Sequence, residues 1–202
     1  MKYAIIGAGK IGSALARRFV ASGIEVFVAN TKGPGSLAGL AGELGALMKP
    51  VTSEEALQAD AVILAIPFDA VPEAVKGVDW GGRIVIDATN AIDFPAFTPR
   101  DLKGRLSTQI VADAVPGARV VKAFNTLLAT HLGADPVVLG GRRVLFVSGD
   151  DAPARRAVVD LIEHLGFAAV DLGALAEGGR AQQFGGGVAA KEFVLLDDRQ
   201  LR

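Results

Sequence analysis

Apolar residues recur along the chain in short runs, and stretches with a helical period separate them. The runs predict strands at Tyr3–Ile6, Glu25–Ala29, Ala61–Ile66, Arg83–Asp87, Val120–Phe124, Val144–Val147 and Ala168–Asp171. Most lack strict alternation, which indicates burial on both faces, as in a parallel sheet covered by helices. Between the first two runs, Ile11, Leu15 and Phe19 recur at helical spacing beside Ala14, and the pattern stops near Gly23. Thr52-Ser53-Glu54-Glu55 has the form of a capping box opening a short helix. Ala154 to Leu165 places Val158, Leu161, Ile162 and Leu165 on one face and ends at Gly166. Alternation of this kind predicts an α/β protein with a doubly wound, mostly parallel sheet and right-handed crossovers. After Gly173 the period is lost, and Gly178-Gly179 and Gly185-Gly186-Gly187 dominate. The expected division is one domain over residues 1–173 and a short glycine-rich C-terminal tail or lobe over 174–202. The apolar stretch Phe193-Val194-Leu195-Leu196 reads either as an edge strand on its own core or as part of a homodimer contact; a homo-oligomer is expected.

Composition narrows the classes. Half of the 202 residues are hydrophobic, enough for a sizeable core, and the formal net charge is −1. A near-neutral chain without a basic run is not expected to bind nucleic acid or a membrane surface. The longest apolar stretch, Ala61 to Phe68, falls far short of the roughly 20 residues of a spanning helix. The first strand begins at Tyr3, leaving no room for a secretory signal, so a cytoplasmic location is expected. With no cysteine, disulfides and thiolate chemistry are excluded. No metal-ligand spacing is present, and no metal is expected.

The candidate chemistry lies at the end of the first strand. Gly7-Ala8-Gly9-Lys10-Ile11-Gly12 follows a strand and opens an amphipathic helix, the context in which a G-x-G-x-x-G turn holds a dinucleotide in a Rossmann-type fold. Gly7 permits the tight turn, Gly9 lets a pyrophosphate approach the backbone, and Gly12 lets helix and strand pack closely. Amides at the helix start, including those of Lys10 and Ile11, then face the phosphates. An NAD site would place Asp or Glu at the end of the second strand, to bond the ribose hydroxyl. Here Asn30-Thr31-Lys32 stands there, followed by Gly33, Gly35 and Ser36. Without a carboxylate to repel a 2′-phosphate, and with Lys32 for charge and Asn30, Thr31 and Ser36 for hydrogen bonds, the expected cofactor is NADP(H).

Ligands in such sheets bind at the carboxyl ends of the strands. Ile66-Pro67-Phe68, Ala88-Thr89-Asn90 and Asn125-Thr126 follow the third, fourth and fifth predicted strands, so they are candidates to line the cofactor or the facing ring. Thr89-Asn90 and Asn125-Thr126 read equally as helix caps. The segments Gly7–Gly12, Asn30-Thr31-Lys32-Gly33-Pro34, Asp87-Ala88-Thr89-Asn90 and, above all, Val121-Lys122-Ala123-Phe124-Asn125-Thr126 resemble the coenzyme F420-dependent NADP oxidoreductase family. The reductase domains of the STEAP ferric reductases are similar in the same segments. The resemblance implies a Rossmann protein moving hydride between NADP(H) and a flavin or deazaflavin of the F420 type, the two rings stacked in an open cleft. Lys32 stands where many members carry arginine, and Gly185–Gly187 replaces what is often a Gly-Gly-Pro turn.

No catalytic side chain stands out. His164 sits at a helix end, where the dipole accounts for it; His131 lies one helical stretch beyond Asn125-Thr126 and is the histidine that could reach the cleft. Two other readings stay open: a reductase of a small carbonyl or imine, its site completed by a dimer partner, and a non-catalytic NADP(H)-sensing module.

Overall fold

Most of the apolar runs become strands because they are buried on both faces. The computed structural model describes residues 1–196. Its strands are β1 (Tyr3–Ile6), β2 (Val26–Ala29), β3 (Met48–Pro50), β4 (Ala61–Leu64), β5 (Ile84–Asp87), β6 (Ile92–Asp93), β7 (Thr98–Pro99), β8 (Arg119–Lys122), β9 (Val137–Val138), β10 (Gly141–Gly149), β11 (Ala168–Asp171) and β12 (Val194–Leu196). The helices are α1 (Lys10–Ala21), α2 (Ala38–Leu44), α3 (Ser53–Ala56), α4 (Val71–Ala74), α5 (Ser107–Ala114), α6 (Ala129–Gly133), α7 (Ala152–His164) and α8 (Arg180–Gln182).

The main sheet runs β11-β10-β8-β5-β4-β1-β2-β3. From β3 to β8 all pairings are parallel, and β10 then joins β8 antiparallel. Alternate residues divide between two cores. Ile5, Val28, Ile63, Ile86 and Val121 face Leu15 and Phe19 of α1 and Val158, Leu161 and Ile162 of α7. Ala4, Ile6, Val62, Leu64 and Val85 face Trp80, Val71 of α4 and Val111 of α5. Burying each large aliphatic side chain contributes about 1.5–3 kcal/mol, so the two layers outweigh any local propensity.

Besides the β6–β7 hairpin and β9, which the sequence reading did not include, three segments differ from it. β3 was not anticipated; its three residues include Pro50 and form an edge beside β2, a position that tolerates a missing donor. The run Val144–Val147 is the middle of a nine-residue strand whose first half carries Arg142 and Arg143 and pairs with both β9 and β12. The aperiodic segment after Gly173 holds a single π-helical turn (Leu175–Gly179), then α8 and β12. Val194–Leu196 forms an edge strand on β10, and Phe193 meets Phe146 edge-on with ring centres 5.4 Å apart. The capping box forms as read, with Thr52 and Glu55 each accepting the other's backbone amide.

The strand order reverses between β1 and β4, and there the first glycine turn is held. Gly7 has φ +106° and donates its amide to Ala29 at 2.8 Å. A Cβ on Gly12 would collide with the Gly7 carbonyl. Overpacking against backbone costs about 1–3 kcal/mol. Gly12→Ala is therefore expected to lower the midpoint of thermal unfolding, by about 2–4 °C per kcal/mol in a domain of this size. Circular dichroism melting checks it, and an unchanged midpoint would contradict this packing.

Candidate functional site

The carboxyl ends of β1, β2 and β4 open on a cleft of 670 Å³. Gly7, Ala8 and Gly9 form its floor, Asn30, Thr31 and Lys32 one wall, and Ala65, Ile66 and Pro67 the other. A Cβ on Gly7 would strike the carbonyl of Ala65, whereas one on Gly9 would meet no atom within 4 Å. Gly9 is the N-cap of the twelve-residue α1 and offers no side chain to its first turn. The amides of that turn have no partner within the helix. The cleft thus combines open space over Gly9, unclaimed amides and the positive end of a helix dipole, a donor set that fits a pyrophosphate.

The loop after β2 is organised from within. Asn30 accepts the Lys32 amide at 2.9 Å, and its own amide donates to the Ser36 hydroxyl at 3.0 Å. Ser36 in turn donates to the Gly33 carbonyl at 2.7 Å. Asn30 and Ser36 thus use these polar atoms to shape the turn, a role the sequence reading did not include, while Asn30 also lines the cleft. Thr31 and Lys32 stay exposed at the cleft wall, with no side-chain partner among the described residues.

At the ends of β5 and β8 a buried network appears that sequence reasoning missed. Lys122 and Asp87 face each other across neighbouring strands, Nζ to Oδ2 3.0 Å, both fully buried. Thr108 of α5 donates to the same carboxylate at 2.5 Å, and Thr89 donates its hydroxyl at 2.7 Å and its amide at 2.9 Å. Burial pushes the Asp87 carboxyl upward, but Lys122 and the Thr108 and Thr89 donors outweigh it, leaving Asp87 below the ordinary carboxylate value. Thr89 is consequently 1% exposed, and its hydroxyl is spent inside the sheet rather than offered to a ligand. The available signal was a lysine inside the apolar run Val120-Val121-Lys122-Ala123, since a charge there requires a partner.

One layer outward, Asn90 and Asn125 lock the two strand ends together. Asn90 donates to the Asn125 carbonyl at 3.0 Å, and Asn125 donates to the Asn90 side-chain oxygen at 3.1 Å. Asn125 also donates to the Gln182 carbonyl at 2.8 Å. Gln182 reaches inward from α8, donating to the carbonyls of Phe146 at 2.9 Å and Lys122 at 3.2 Å. This glutamine, fully buried, pins the C-terminal segment to the carboxyl end of β8 and to the middle of β10. The Asn125 side-chain oxygen and the Thr126 hydroxyl remain buried without a partner.

Lys10, Ile11 and Gly12 form the start of α1 beside the cleft. Phe68 lies past the wall and packs on the Trp80 core, and Ala88 is buried in the α1–α7 core. His131 places its Nδ1 3.1 Å from Glu192, and His164 is the last residue of α7. Among the described residues, no cluster of side chains could hold a metal, and no helix is long and apolar enough to cross a membrane.

Comparison with known proteins agrees with this geometry. The chain matches, over residues 2–91, the profile of the family described as NADP oxidoreductase, coenzyme F420-dependent. Metalloreductase STEAP3 from Rattus norvegicus is 30% identical over 177 residues, 87% of this chain. The chain spans only about a third (34%) of the length of that curated relative. A hypothetical protein from Sinorhizobium meliloti has a crystal structure that superposes with a TM-score of 0.93 at 58% identity, covering 98% of this chain and 96% of that one. A candidate F420-dependent NADP reductase from an Arthrobacter species superposes at 0.76 with 26% identity, covering 87% and 86%.

The buried pair generates a sharp expectation. Lys122→Met removes the cation and leaves Asp87 buried, so the loss of stability in urea unfolding should be about 3–5 kcal/mol at neutral pH. Asp87→Asn added to Lys122→Met should recover part of it. Because the folded carboxyl lies below its unfolded value, its stabilisation is present above about pH 4 and is lost as pH falls through the folded value. The gap between parent and Lys122→Met should therefore narrow on acidification. A gap that is absent at pH 7, or that stays constant as the pH is lowered below about 4, would contradict the pair.

Proposed function

We propose that the chain belongs to the coenzyme F420-dependent NADP oxidoreductase family and catalyses a reaction in which hydride passes between NADP(H) and a flavin or deazaflavin ring. The observation that carries this reading is the division of labour along the strand ends. The cleft at β1, β2 and β4 has the donors a dinucleotide needs, while at the ends of β5 and β8 the Asn90 and Asn125 amide groups bond each other and the Thr89 hydroxyl is taken by Asp87. Lys122 is fully buried and bonded to Asp87 and to the Thr89 carbonyl, so it is not offered to a substrate as an acid. Reduction of a carbonyl or imine calls for a positioned proton donor. A ring that spreads its charge needs mainly to be held face to face with nicotinamide.

When bound, NADPH supplies a hydride from its nicotinamide ring. The chain's own residues bind and orient. The open face of Gly9 and the first-turn amides of α1 are assigned to the pyrophosphate. Thr31 and Lys32, held outward by the Asn30–Ser36 turn, are assigned to the 2′-phosphate. Ile66 and Pro67 form the opposite wall. Asn90 and Asn125, with the unpartnered Asn125 oxygen and Thr126 hydroxyl, mark the end assigned to the rings. Residues 1–173 carry the nucleotide in this account, and the segment from 174 onward completes the acceptor side through Gln182. The family description and the name of the Arthrobacter relative support an F420-type partner, and the name of the rat relative, a metalloreductase, supports a reductase only.

Anaerobic mixing of NADPH with F420, FMN, FAD and riboflavin tests the reading. NADPH should be oxidised with at least one of them, and activity confined to small carbonyls or imines would overturn it. Contacts to a charged phosphate are worth about 1.5–3 kcal/mol, roughly ten- to a hundredfold in affinity. Lys32→Glu is therefore expected to narrow or reverse a preference for NADPH over NADH, measured as dissociation constants. Equal affinities in the parent protein would contradict the role of Lys32.

A further inference from the structure

We propose that a second cavity, beside the acceptor end of the crevice, is a phosphate site that seats the phosphorylated tail of the ring acceptor. The proposal rests on the flavin or deazaflavin reading and narrows it to acceptors that carry a phosphate.

The cavity lies between the β6–β7 hairpin, the start of α5 and the turn after α8. An inner part of 170 Å³ continues into an outer part of 460 Å³, the two sharing Pro99, Arg180, Gln183 and Phe184. Three guanidinium groups border the inner part, and two are already satisfied. Arg100 is paired with Asp69 and with Asp93, and Arg105 with Asp113. Arg180 has no carboxylate partner among the described residues. Of the wall carboxylates, Asp101 is held by Lys103 at 2.6 Å, and Glu177 stands only in the outer part. Among the described residues, the unpaired charge on the inner part is thus the cation of Arg180, and the unpaired Glu177 carboxylate borders the outer part alone.

A second observation is independent of charge. Ser107 lines the inner part, is 1% exposed, and its buried hydroxyl has no hydrogen-bond partner. A buried polar atom without a partner costs about 1–3 kcal/mol, and a ligand atom bonding to it recovers that cost. Beside it, the Ser107 amide donates to the Gln183 side-chain oxygen at 3.2 Å, which leaves the Gln183 amide group as a further donor. A free guanidinium, an orphan hydroxyl and a side-chain amide form a donor set for phosphate.

The surroundings specify what the phosphate is attached to. Phe184 on the cavity wall meets Phe97 edge-on at 5.2 Å between ring centres, and Phe97 meets Phe94 at 5.8 Å. Phe94 and Phe97 are 75% and 59% exposed, an aromatic ledge at the cavity's edge that suits the apolar body of a ring cofactor. Ala91 on the inner wall directly follows Asn90, and Gln183 directly follows Gln182. Both neighbours are bonded to Asn125, so the cavity adjoins the crevice at the ring end and not at the glycine turn.

The test is a binding titration of the NADP⁺-loaded protein, by flavin fluorescence, with FMN, riboflavin and inorganic phosphate, alongside turnover. FMN should bind at least about tenfold more tightly than riboflavin. Arg180→Gln should abolish that difference by weakening FMN alone, and Ser107→Ala should reduce it. Inorganic phosphate should compete with FMN without displacing NADP⁺. Riboflavin binding as tightly as FMN, or Arg180→Gln weakening both equally or neither, overturns the site even where flavin turnover persists. Phosphate binding that depends on Arg180, with FMN no better than riboflavin, assigns the cavity to free phosphate and overturns the acceptor-tail role. Arg180-dependent FMN binding without turnover of any flavin or deazaflavin would retain the site and overturn the hydride-transfer reading instead.

Discussion

A lysine and an aspartate sealed in the sheet set the geometry on which the crevice depends. Lys122 and Asp87 are paired register neighbours at the last positions of β8 and β5. Removing two charges from water costs several kcal/mol per ion, and their attraction recovers this only with good geometry and further hydrogen bonds. The pair has both: a direct contact, two threonine hydroxyls and a backbone amide. Such a pair contributes specificity of arrangement more than net stability. The backbone leaving β5 must turn so that Thr89 reaches back to Asp87, and that turn presents Asn90 to Asn125. Gln182, bonded to the Lys122 carbonyl, then brings the C-terminal segment onto the same strand end. The ring end of the crevice and the Arg180 cavity both hang from this chain of contacts.

The nucleotide end rests on a different constraint, steric rather than electrostatic. Gly7 and Gly12 are required because backbone passes where a Cβ would sit, while Gly9 faces open space. The two halves adjoin between β4 and β5, one strand from the reversal of strand order between β1 and β4, where open α/β sheets expose a crevice. Closely packed glycines at one end and a sealed ion pair at the other leave little freedom in the frame. Two cofactor rings meeting within it would find their positions already set by backbone.

Legibility in the sequence followed the range of the interactions. Both-face burial writes itself locally as continuous apolar runs, so the six central strands and the two amphipathic helices could be read. The glycine turn was equally local. β3 was not legible, because three residues ending in Pro50 carry no period and form only as an edge beside β2. Long-range pairing hid the rest. Nothing near Lys122 in sequence names Asp87, 35 residues earlier, as its partner. Asn30 was read as a ligand donor because its type and position suit one, whereas its bonds to Ser36 and the Lys32 amide depend on a turn visible only in three dimensions. Gln182 lies in an aperiodic, glycine-rich segment, and its burial rests on bonds to the Lys122 and Phe146 carbonyls of β8 and β10 that no local pattern reveals.

In the proposed arrangement one frame holds a nucleotide along β1 and β2 with its ring directed at Asn90 and Asn125. The most direct measurement is a crystal structure of the protein with NADP⁺ bound. The account predicts the pyrophosphate over Gly9 within hydrogen-bonding distance of the Lys10 and Ile11 amides, the 2′-phosphate at Thr31 and Lys32, and the Asn90–Asn125 bonds intact. A pyrophosphate bound away from the glycine turn, or a nicotinamide directed away from Asn125, would contradict it.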